Sequence, residues 1–509
     1  MHDKDKIDNQ TTKSFYYPLV FKLLLIFVFF LPLRGVQIPV GVFGFEINPA
    51  RIASVFFIIA IFFNICLDVN YFKALFRSGK YQNPFVFWLF IYFLFSIVYY
   101  YILVIFGKTI LFGAGETMFL RNWQGRPLAQ LLSFLTYGFI PFYLVKLYAQ
   151  NEKTRRSIER VFTFVILFLL SFACLQVVTY IILRAPLIGR QLLERRLDLG
   201  AVEIFGIPFY RVNSLAGEPR DFGTFLLGAI FFYAYARYGK IKFFTKLNIL
   251  FMIGALFLTT SNSAFLALGL FLIAITADII YRRRVRLRLK YIKYGFLALL
   301  IIVLVFHAQL IKIVGGRTIM MYEAVTVQLR TANVQPLAQE QTSNVVVLYY
   351  LLHFNDVPPV YIFFGSGYSN FITPVADLYQ RYFNRPIEDT GILTSDSFAT
   401  KLFIEGGIIG FALYLMMFFY TLKLNTKLLY IFRARKDIIE YKKALLLRFA
   451  FIAFFIGGAI QNAYYYFIPM GLIIGWLNEM ANKKLDEKYA NHLENQPTIE
   501  DDGDARESS

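Results

Sequence analysis

The sequence is divided into repeated runs of about twenty apolar residues, each long enough to cross a lipid bilayer as an α-helix. This length is needed because the hydrocarbon core is roughly 30 Å thick and a helix rises about 1.5 Å per residue. Such runs lie at about 15–33, 49–67, 85–106, 129–148, 161–183, 222–237, 296–313, 400–420 and 447–465.

Two further regions add three spans to these runs. The stretch Asn248–Tyr281 is too long for one span, and the small polar residues at 259–263 predict a tight turn that divides it into two helices. A short apolar run after Ile468 predicts a last span. The pattern therefore predicts an all-α polytopic membrane protein of about twelve spans, with a single transmembrane domain over residues 1–485.

Composition agrees with a protein that faces lipid. Hydrophobic residues make up 58% of the 509 residues and aromatic residues 19%, above what a water-facing surface allows. The formal net charge of +19 could indicate a nucleic-acid partner, but the basic residues form short clusters between apolar runs. Both cysteines, Cys66 and Cys174, lie inside apolar runs, so no disulfide framework is expected.

The basic clusters also predict the orientation of the chain. Lys and Arg are concentrated on the cytoplasmic side of membrane proteins. With a cytoplasmic N-terminus, the loops 68–84, 149–160, 238–247, 282–294 and 421–446 are inside. They hold the densest basic clusters. Both termini are then cytoplasmic, and residues 486–509 are predicted to form a disordered acidic tail. An alternative role for 282–294 is a lipid-headgroup patch.

Two loops on the predicted outer side are long, at about 184–221 and 314–396. Both contain arginine and no lysine, whereas the inner loops mix the two. The planar guanidinium binds phosphate through two parallel hydrogen bonds, so these loops indicate a ligand that carries phosphate. The alternative is that the arginines form structural salt bridges with the acidic residues of the same loops.

The most informative outer segment is 211–223, with the sequence RVNSLAGEPRDFG. It predicts an extended stretch that turns at Gly217 and starts a helix near Pro219, where a missing N–H does no harm. Two arginines and two carboxylates then lie beside a helix N-terminus, which itself favours anions. A charged helix cap would explain the acidic residues but not Arg211.

Three other segments follow in order. Residues 258–266 (LTTSNSAFL) form the polar turn between two spans, and 364–371 (FGSGYSNF) lie in the second outer loop. Residues 394–398 (TSDSF) lead into 404–410 (IEGGIIG), at the start of the tenth span. Each alone is a weak signal of a glycine-rich turn or a close helix contact.

Together, the ordered segments over about 200–420 resemble the O-antigen polymerase and O-antigen ligase superfamily of membrane glycosyltransferases. The resemblance implies a GT-C-like fold and a donor glycan carried on undecaprenyl pyrophosphate. It also implies a large periplasmic loop between spans nine and ten, and the apolar stretches 345–352 and 360–364 predict that this loop is partly helical. The implied reaction is displacement at the anomeric carbon by an acceptor hydroxyl, at the outer face of the bacterial cytoplasmic membrane. No cofactor and no metal are expected.

The resemblance also suggests site residues. Arg211 matches the arginine that precedes the family's middle span. Asp396 stands where ligases usually carry a histidine, which favours a polymerase and leaves Asp396, Glu218 and His353 as candidate general bases. Residues predicted to bind substrate are Arg220, Arg195, Arg196, Arg317, Arg330, Tyr368 and Glu405.

Three functions remain open on this basis. The first is a repeat-unit polymerase for O-antigen, capsule or exopolysaccharide, with a flippase and a chain-length regulator as possible partners. The second is a ligase that transfers glycan to lipid A core or another acceptor. The third is a flippase or secondary transporter, whose expected signs are internal repeats and charged or broken helices near the membrane midplane. The chain is expected to contact membrane lipids, and no nucleic-acid partner is expected.

Overall fold

The computed structural model describes most of the predicted helical regions. The described residues are 18–33, 38–40, 45–67, 82–108, 124–183, 201–204, 207–239, 243–281, 357–371, 373, 397–461 and 463–494. The predicted ninth span, 296–313, lies outside them, as does the basic cluster at 282–294.

Helices make up most of the described chain, and they are numbered in order. They are α1 (Pro18–Phe30), α2 (Pro49–Leu67), α3 (Pro84–Ile105), α4 (Arg126–Ser133), α5 (Ile140–Tyr148), α6 (Glu152–Leu183), α7 (Pro219–Ala236), α8 (Phe243–Leu258), α9 (Asn262–Tyr281), α10 (Pro359–Phe364), α11 (Phe398–Ala434), α12 (Ile438–Ile460) and α13 (Phe467–Glu494). A π-helical segment, Phe134–Phe139, joins α4 to α5, and a 3₁₀ turn, Tyr464–Tyr466, precedes α13.

The chain has the fold of a helical membrane protein. Within the described residues, seven helices are long and apolar enough to cross a membrane. They are α2, α3, the continuous α4–α5 unit, α6, α9, α11 and α12, while α1 and α8 are apolar but shorter. Each predicted span that falls within the described residues contains a helix. The total of twelve spans and the GT-C-like arrangement stay predictions.

Four short strands lie in the segments that connect helices, and they leave the predicted all-α class unchanged. Ile38–Val40 (β1) pairs with Phe45–Ile47 (β2), and Ala201–Ile204 (β3) pairs with Ile207–Tyr210 (β4), both antiparallel. Each hairpin lies between helices, and β4 leads directly to Arg211. Short hairpins satisfy backbone hydrogen bonds in connecting segments without adding another layer to the bundle.

Several helix boundaries also differ from the sequence prediction. The loops predicted at 149–160 and 421–446 are mostly helical, because α6 begins at Glu152 and only a short turn separates α11 from α12. Their Lys, Arg and Glu residues favour helix, and the pair Glu152–Arg156 lies one turn apart. The last helix extends to Glu494, beyond residue 486, where the polar tail was predicted to begin.

Helix α7 lies at the centre of the bundle and is buried along most of its length. It packs against α12, α8 and α9. Two glycines permit this close approach. A Cβ at Gly223 would lie 2.6 Å from the Cβ of Ala264, and one at Gly228 would lie 2.5 Å from the Phe454 ring. Small residues bring helix backbones together in membranes, where apolar burial alone gives little driving force.

Candidate functional site

The segment before α7 has the conformation that its sequence predicted. Gly217 has a φ of +96°, a left-handed conformation that glycine adopts without strain, and α7 begins at Pro219. Gln176 of α6 holds the segment in place: its Oε1 accepts from the Ser214 N–H at 2.8 Å, and its Nε2 donates to Asn213 Oδ1 at 2.8 Å. The segment is therefore fixed against the bundle.

Arg211 connects this segment to the polar turn between α8 and α9. Its Nε donates to Thr260 Oγ1 at 3.1 Å and to the Thr259 carbonyl at 3.4 Å, and its Nη2 donates to the Thr260 carbonyl at 3.4 Å. The turn itself is buried, and it divides the helices at the position the sequence predicted. The first two of the four sequence segments thus meet through Arg211.

Glu218 and Arg220 lie beside the same helix start and form an ion pair. Arg220 Nε is 2.5 Å from Glu218 Oε2, and both side chains are partly exposed. Glu218 is the N-cap residue of α7 but makes no side-chain cap hydrogen bond. These two residues therefore form a salt bridge, as the alternative interpretation of the outer-loop arginines predicts.

The third and fourth segments also meet, at a break in α11. Gly407 has a φ of +60° and a ψ of −167°, which interrupts the helical hydrogen-bond ladder. The carbonyls of Ile404 and Glu405 accept instead from the backbone N–H groups of Ser366 and Gly367, at 2.9 and 3.1 Å. The segment 365–371 is thus docked by its backbone onto the broken helix.

Two glycines make this docking possible. A Cβ at Gly365 would lie 2.2 Å from the Glu405 carbonyl oxygen, and one at Gly367 would lie 2.8 Å from the Tyr100 Cα. Both have a positive φ. The Tyr368 N–H also donates to the Ser96 carbonyl of α3 at 3.2 Å, so the segment lies between α3 and α11.

A buried charge pair lies beside this docked segment, which we call the Lys401–Glu405 pair. Lys401 Nζ is 3.9 Å from Glu405 Oε2, and the two side chains are 8% and 2% exposed. The Ser369 N–H donates to the same carboxylate oxygen at 3.0 Å. Lys401 also donates to Gln130 Oε1 at 2.9 Å and lies 4.9 Å from the centre of the Tyr368 ring.

Arg126, at the start of α4, is buried and interacts electrostatically with Glu405. The sequence analysis missed Arg126, Gln130 and Lys401. Lys401 could have been predicted from the sequence. It lies one helical turn before Glu405 in an apolar run, where ionisable residues are costly and are usually functional. Arg126 had none, because only the tertiary structure brings it to α11.

The tyrosine turn Tyr464–Tyr466 joins the two halves of the site. The Tyr465 hydroxyl donates to the Asp221 carbonyl of α7 at 3.1 Å. Tyr464 forms a side-chain hydrogen bond with Tyr368. The start of α11 is held on the same side, because Ser397 Oγ donates to the carbonyl of Ala459 at 2.9 Å. The entrances to α7 and α11 therefore converge on the tyrosine turn and the end of α12.

The environment of Tyr368 keeps its hydroxyl protonated. Burial raises the pKa of Tyr368 well above its usual range, and the neighbouring Tyr464 and Glu405 raise it further. The residue is therefore a neutral hydrogen-bonding group and an aromatic surface for the Lys401 ammonium.

A small cavity adjoins the pair. The volume open to the centre of a water molecule is about 10 Å³, which is enough for one oxygen-sized group. Its walls come from α3, the docked segment and α11, and they are Tyr92, Phe93, Ser96, Tyr368, Phe398, Lys401, Leu402, Glu405 and Gly406.

The predicted site residues fall into three groups. Tyr368 and Glu405 come together beside the cavity. Arg211, Glu218 and Arg220 lie at the entrance to α7, on the other side of the tyrosine turn. The remaining residues, whose predicted roles the described chain does not address, are Arg195, Arg196, Arg317, Arg330, His353 and Asp396.

The fold and this site define a helical membrane protein with a polar centre built on a broken helix. No protein-family model matches the sequence, and a comparison with curated proteins finds no match. Functional assignment therefore rests on the residues and contacts described above.

Proposed function

We propose that this chain is a polysaccharide repeat-unit polymerase. It would join oligosaccharides carried on undecaprenyl pyrophosphate at the outer face of the bacterial cytoplasmic membrane, in O-antigen, capsule or exopolysaccharide synthesis. An O-antigen ligase with the same donor chemistry is the alternative within the same class of enzyme.

One observation carries this proposal: the four ordered sequence segments come together in the fold. Arg211 contacts the 258–266 turn, the 364–371 segment docks on the Glu405–Gly407 region, and the tyrosine turn connects the two pairs. Segments far apart in sequence that act on one substrate must meet, whereas unrelated glycine-rich turns need not. Their convergence supports a common site.

The chemistry proposed for the site is a displacement at carbon. The acceptor hydroxyl oxygen forms a bond to the anomeric carbon, and the bond from that carbon to the pyrophosphate oxygen breaks. The electron pair leaves with the pyrophosphate, so positive charge is needed where the negative charge develops. Arg211, beside the N-terminus of α7, is the described residue best suited to that position.

The test compares Arg211→Lys, Arg211→Ala and the control Arg237→Ala in cells that depend on the chain for polymer. Arg237 lies at the opposite end of α7, is exposed, and stacks on Tyr233 at 6.0 Å. Loss of one charge-assisted contact is worth about 1.5–3 kcal/mol, or about ten- to hundredfold in rate if made only in the transition state. We expect short or absent polymer ladders from both Arg211 variants and normal ladders from Arg237→Ala.

Immunoblot abundance separates catalysis from folding, because Arg211 also holds the Thr259–Thr260 turn. Reduced ladders at normal abundance support the assigned role. Normal ladders from Arg211→Ala rule it out, and loss of the protein itself assigns Arg211 to structure.

Helix α11, with its break at Gly407 and its buried Lys401–Glu405 pair, favours a second candidate function. This candidate is a transporter or flippase of lipid-linked or small substrates. Discontinuous helices with ionisable residues near mid-membrane are typical of secondary transporters. Deletion of the gene distinguishes the two. Loss of a polymerase leaves single repeat units on the cell surface, whereas loss of a flippase leaves no glycan there.

A further inference from the structure

One buried carboxylate oxygen lacks a partner beside the cavity. Glu405 Oε2 accepts from the Ser369 N–H, but Oε1 has no hydrogen-bond partner among the described residues. Glu405 is 2% exposed and lines the cavity between α3, the docked segment and α11. Leaving a buried acceptor unpaired is costly, so this oxygen is suited to a group that enters the cavity.

The surrounding charges restrict what that group can be. An anion in the cavity could not donate a hydrogen bond to Oε1, and a metal cation would be repelled by Lys401, 3.9 Å from that carboxylate, and by Arg126. A neutral hydroxyl avoids both conflicts and supplies the donor that Oε1 lacks. The size of the cavity, about 10 Å³, admits one oxygen atom rather than a whole sugar ring.

Lys401 is also placed to remain satisfied when the carboxylate changes charge. Its ammonium donates to Gln130 Oε1 and lies over the Tyr368 ring, and neither contact involves Glu405. Protonation of Glu405 therefore removes an attraction without leaving Lys401 alone in an apolar environment.

From this geometry we propose that Glu405 is the general base of the reaction and that the cavity receives the hydroxyl of the acceptor sugar. The inference rests on the proposed function. The acceptor O–H bond breaks and its proton passes to Glu405 Oε1, while the oxygen forms the new bond to the anomeric carbon. The carbon–oxygen bond to pyrophosphate breaks, and its electron pair stays on the pyrophosphate. Lys401 is a positioning residue, which acts by holding the carboxylate towards the cavity.

The first test is Glu405→Gln in the full-length chain, expressed in a strain that lacks the chromosomal copy. Glutamine keeps an oxygen for the Ser369 N–H but cannot take a proton at the active pH. We expect polymer formation to fall by about a hundredfold or more, in the range that general bases contribute, with normal abundance. The control is Glu440→Gln, a partly exposed carboxylate that pairs with Lys443 at the start of α12, in a different part of the bundle. It should polymerise normally.

These outcomes are separable from failure of the proposed function. If the wild-type chain restores no polymer, the proposed function itself is wrong. If the wild-type chain restores polymer and Glu405→Gln does so equally well, only the assignment of Glu405 is overturned, and the cavity holds a structural water only.

A second variant keeps the carboxylate. Glu405→Asp can still take a proton, so we expect it to form clearly more polymer per molecule than Glu405→Gln when the two are compared at matched abundance. Equal loss of polymer in the two variants contradicts the proposal.

Discussion

Two buried charge pairs in this bundle differ in how completely their hydrogen-bonding groups are satisfied. In the Lys401–Glu405 pair the charged atoms are 3.9 Å apart and one carboxylate oxygen is unpartnered among the described residues. In the second pair, Arg448 of α12 binds both carboxylate oxygens of Asp278 of α9. Its Nη1 additionally donates to three groups of α11 at 2.8–3.2 Å, which are the Leu422 carbonyl, Asn425 Oδ1 and Thr426 Oγ1.

The backbone around the two pairs also differs, because one pair lies on regular helices and the other beside a helix break. Arg448 and Asp278 lie on regular stretches of helix, and three helices meet there. Glu405 lies about 10 Å along α11 from the first residue of the helix, Phe398. It is two residues before the break at Gly407, and the segment 365–371 is docked at this break. A buried pair whose donors are fully used mainly stabilises structure, whereas an incompletely satisfied one at a broken helix is suited to ligand or proton exchange. The comparison predicts that the pairs respond differently to substitution.

Arg448→Met should have the largest effect on stability. It leaves Asp278 buried without its cation, which costs about 3–5 kcal/mol. We expect a marked fall in the thermal midpoint of the detergent-purified protein, while Glu405→Gln leaves it nearly unchanged. The double variant Arg448→Met with Asp278→Asn should recover part of the loss. Equal destabilisation by Arg448→Met and Glu405→Gln would break the distinction between the pairs.

Gly407→Ala should have an intermediate effect, localised to the docked segment. Its positive φ costs a side chain about 1–3 kcal/mol, and a Cβ would lie 2.4 Å from the Phe363 carbonyl oxygen. We expect faster proteolysis within 357–371 and loss of polymer. The matched control is Gly269→Ala, since a Cβ there meets nothing within 4 Å. In a helix interior that change should stabilise by about 0.5–1 kcal/mol. If both variants behave alike, the break at Gly407 does not hold the docked segment.

Local chemistry made part of this site predictable. The turn at Gly217, the helix start at Pro219 and the division of the long apolar stretch at 259–263 depend on neighbouring residues, and the structure confirms all three. The extent of α6 and α11 was not predicted, because the hydropathy pattern ends at the membrane boundary while the helices continue through charged residues.

The contacts that define the polar centre could not be predicted from spacing. The break at Gly407 follows from docking of residues about forty positions earlier, and the sequence offered only a glycine-rich helix start. Arg126 reaches Glu405 from a different helix. The tyrosine turn was read as part of an apolar span, so its role in joining α7 to the docked segment was missed.

The most direct test of the central claim is reconstitution of the purified full-length chain in liposomes that contain lipid-linked repeat units from the producing bacterium. We predict that the wild-type chain converts them to a ladder of longer glycans and releases undecaprenyl pyrophosphate, and that Glu405→Gln does neither at a comparable rate. Movement of intact repeat units across the bilayer, with no increase in glycan length, would contradict the polymerase assignment and support the transporter.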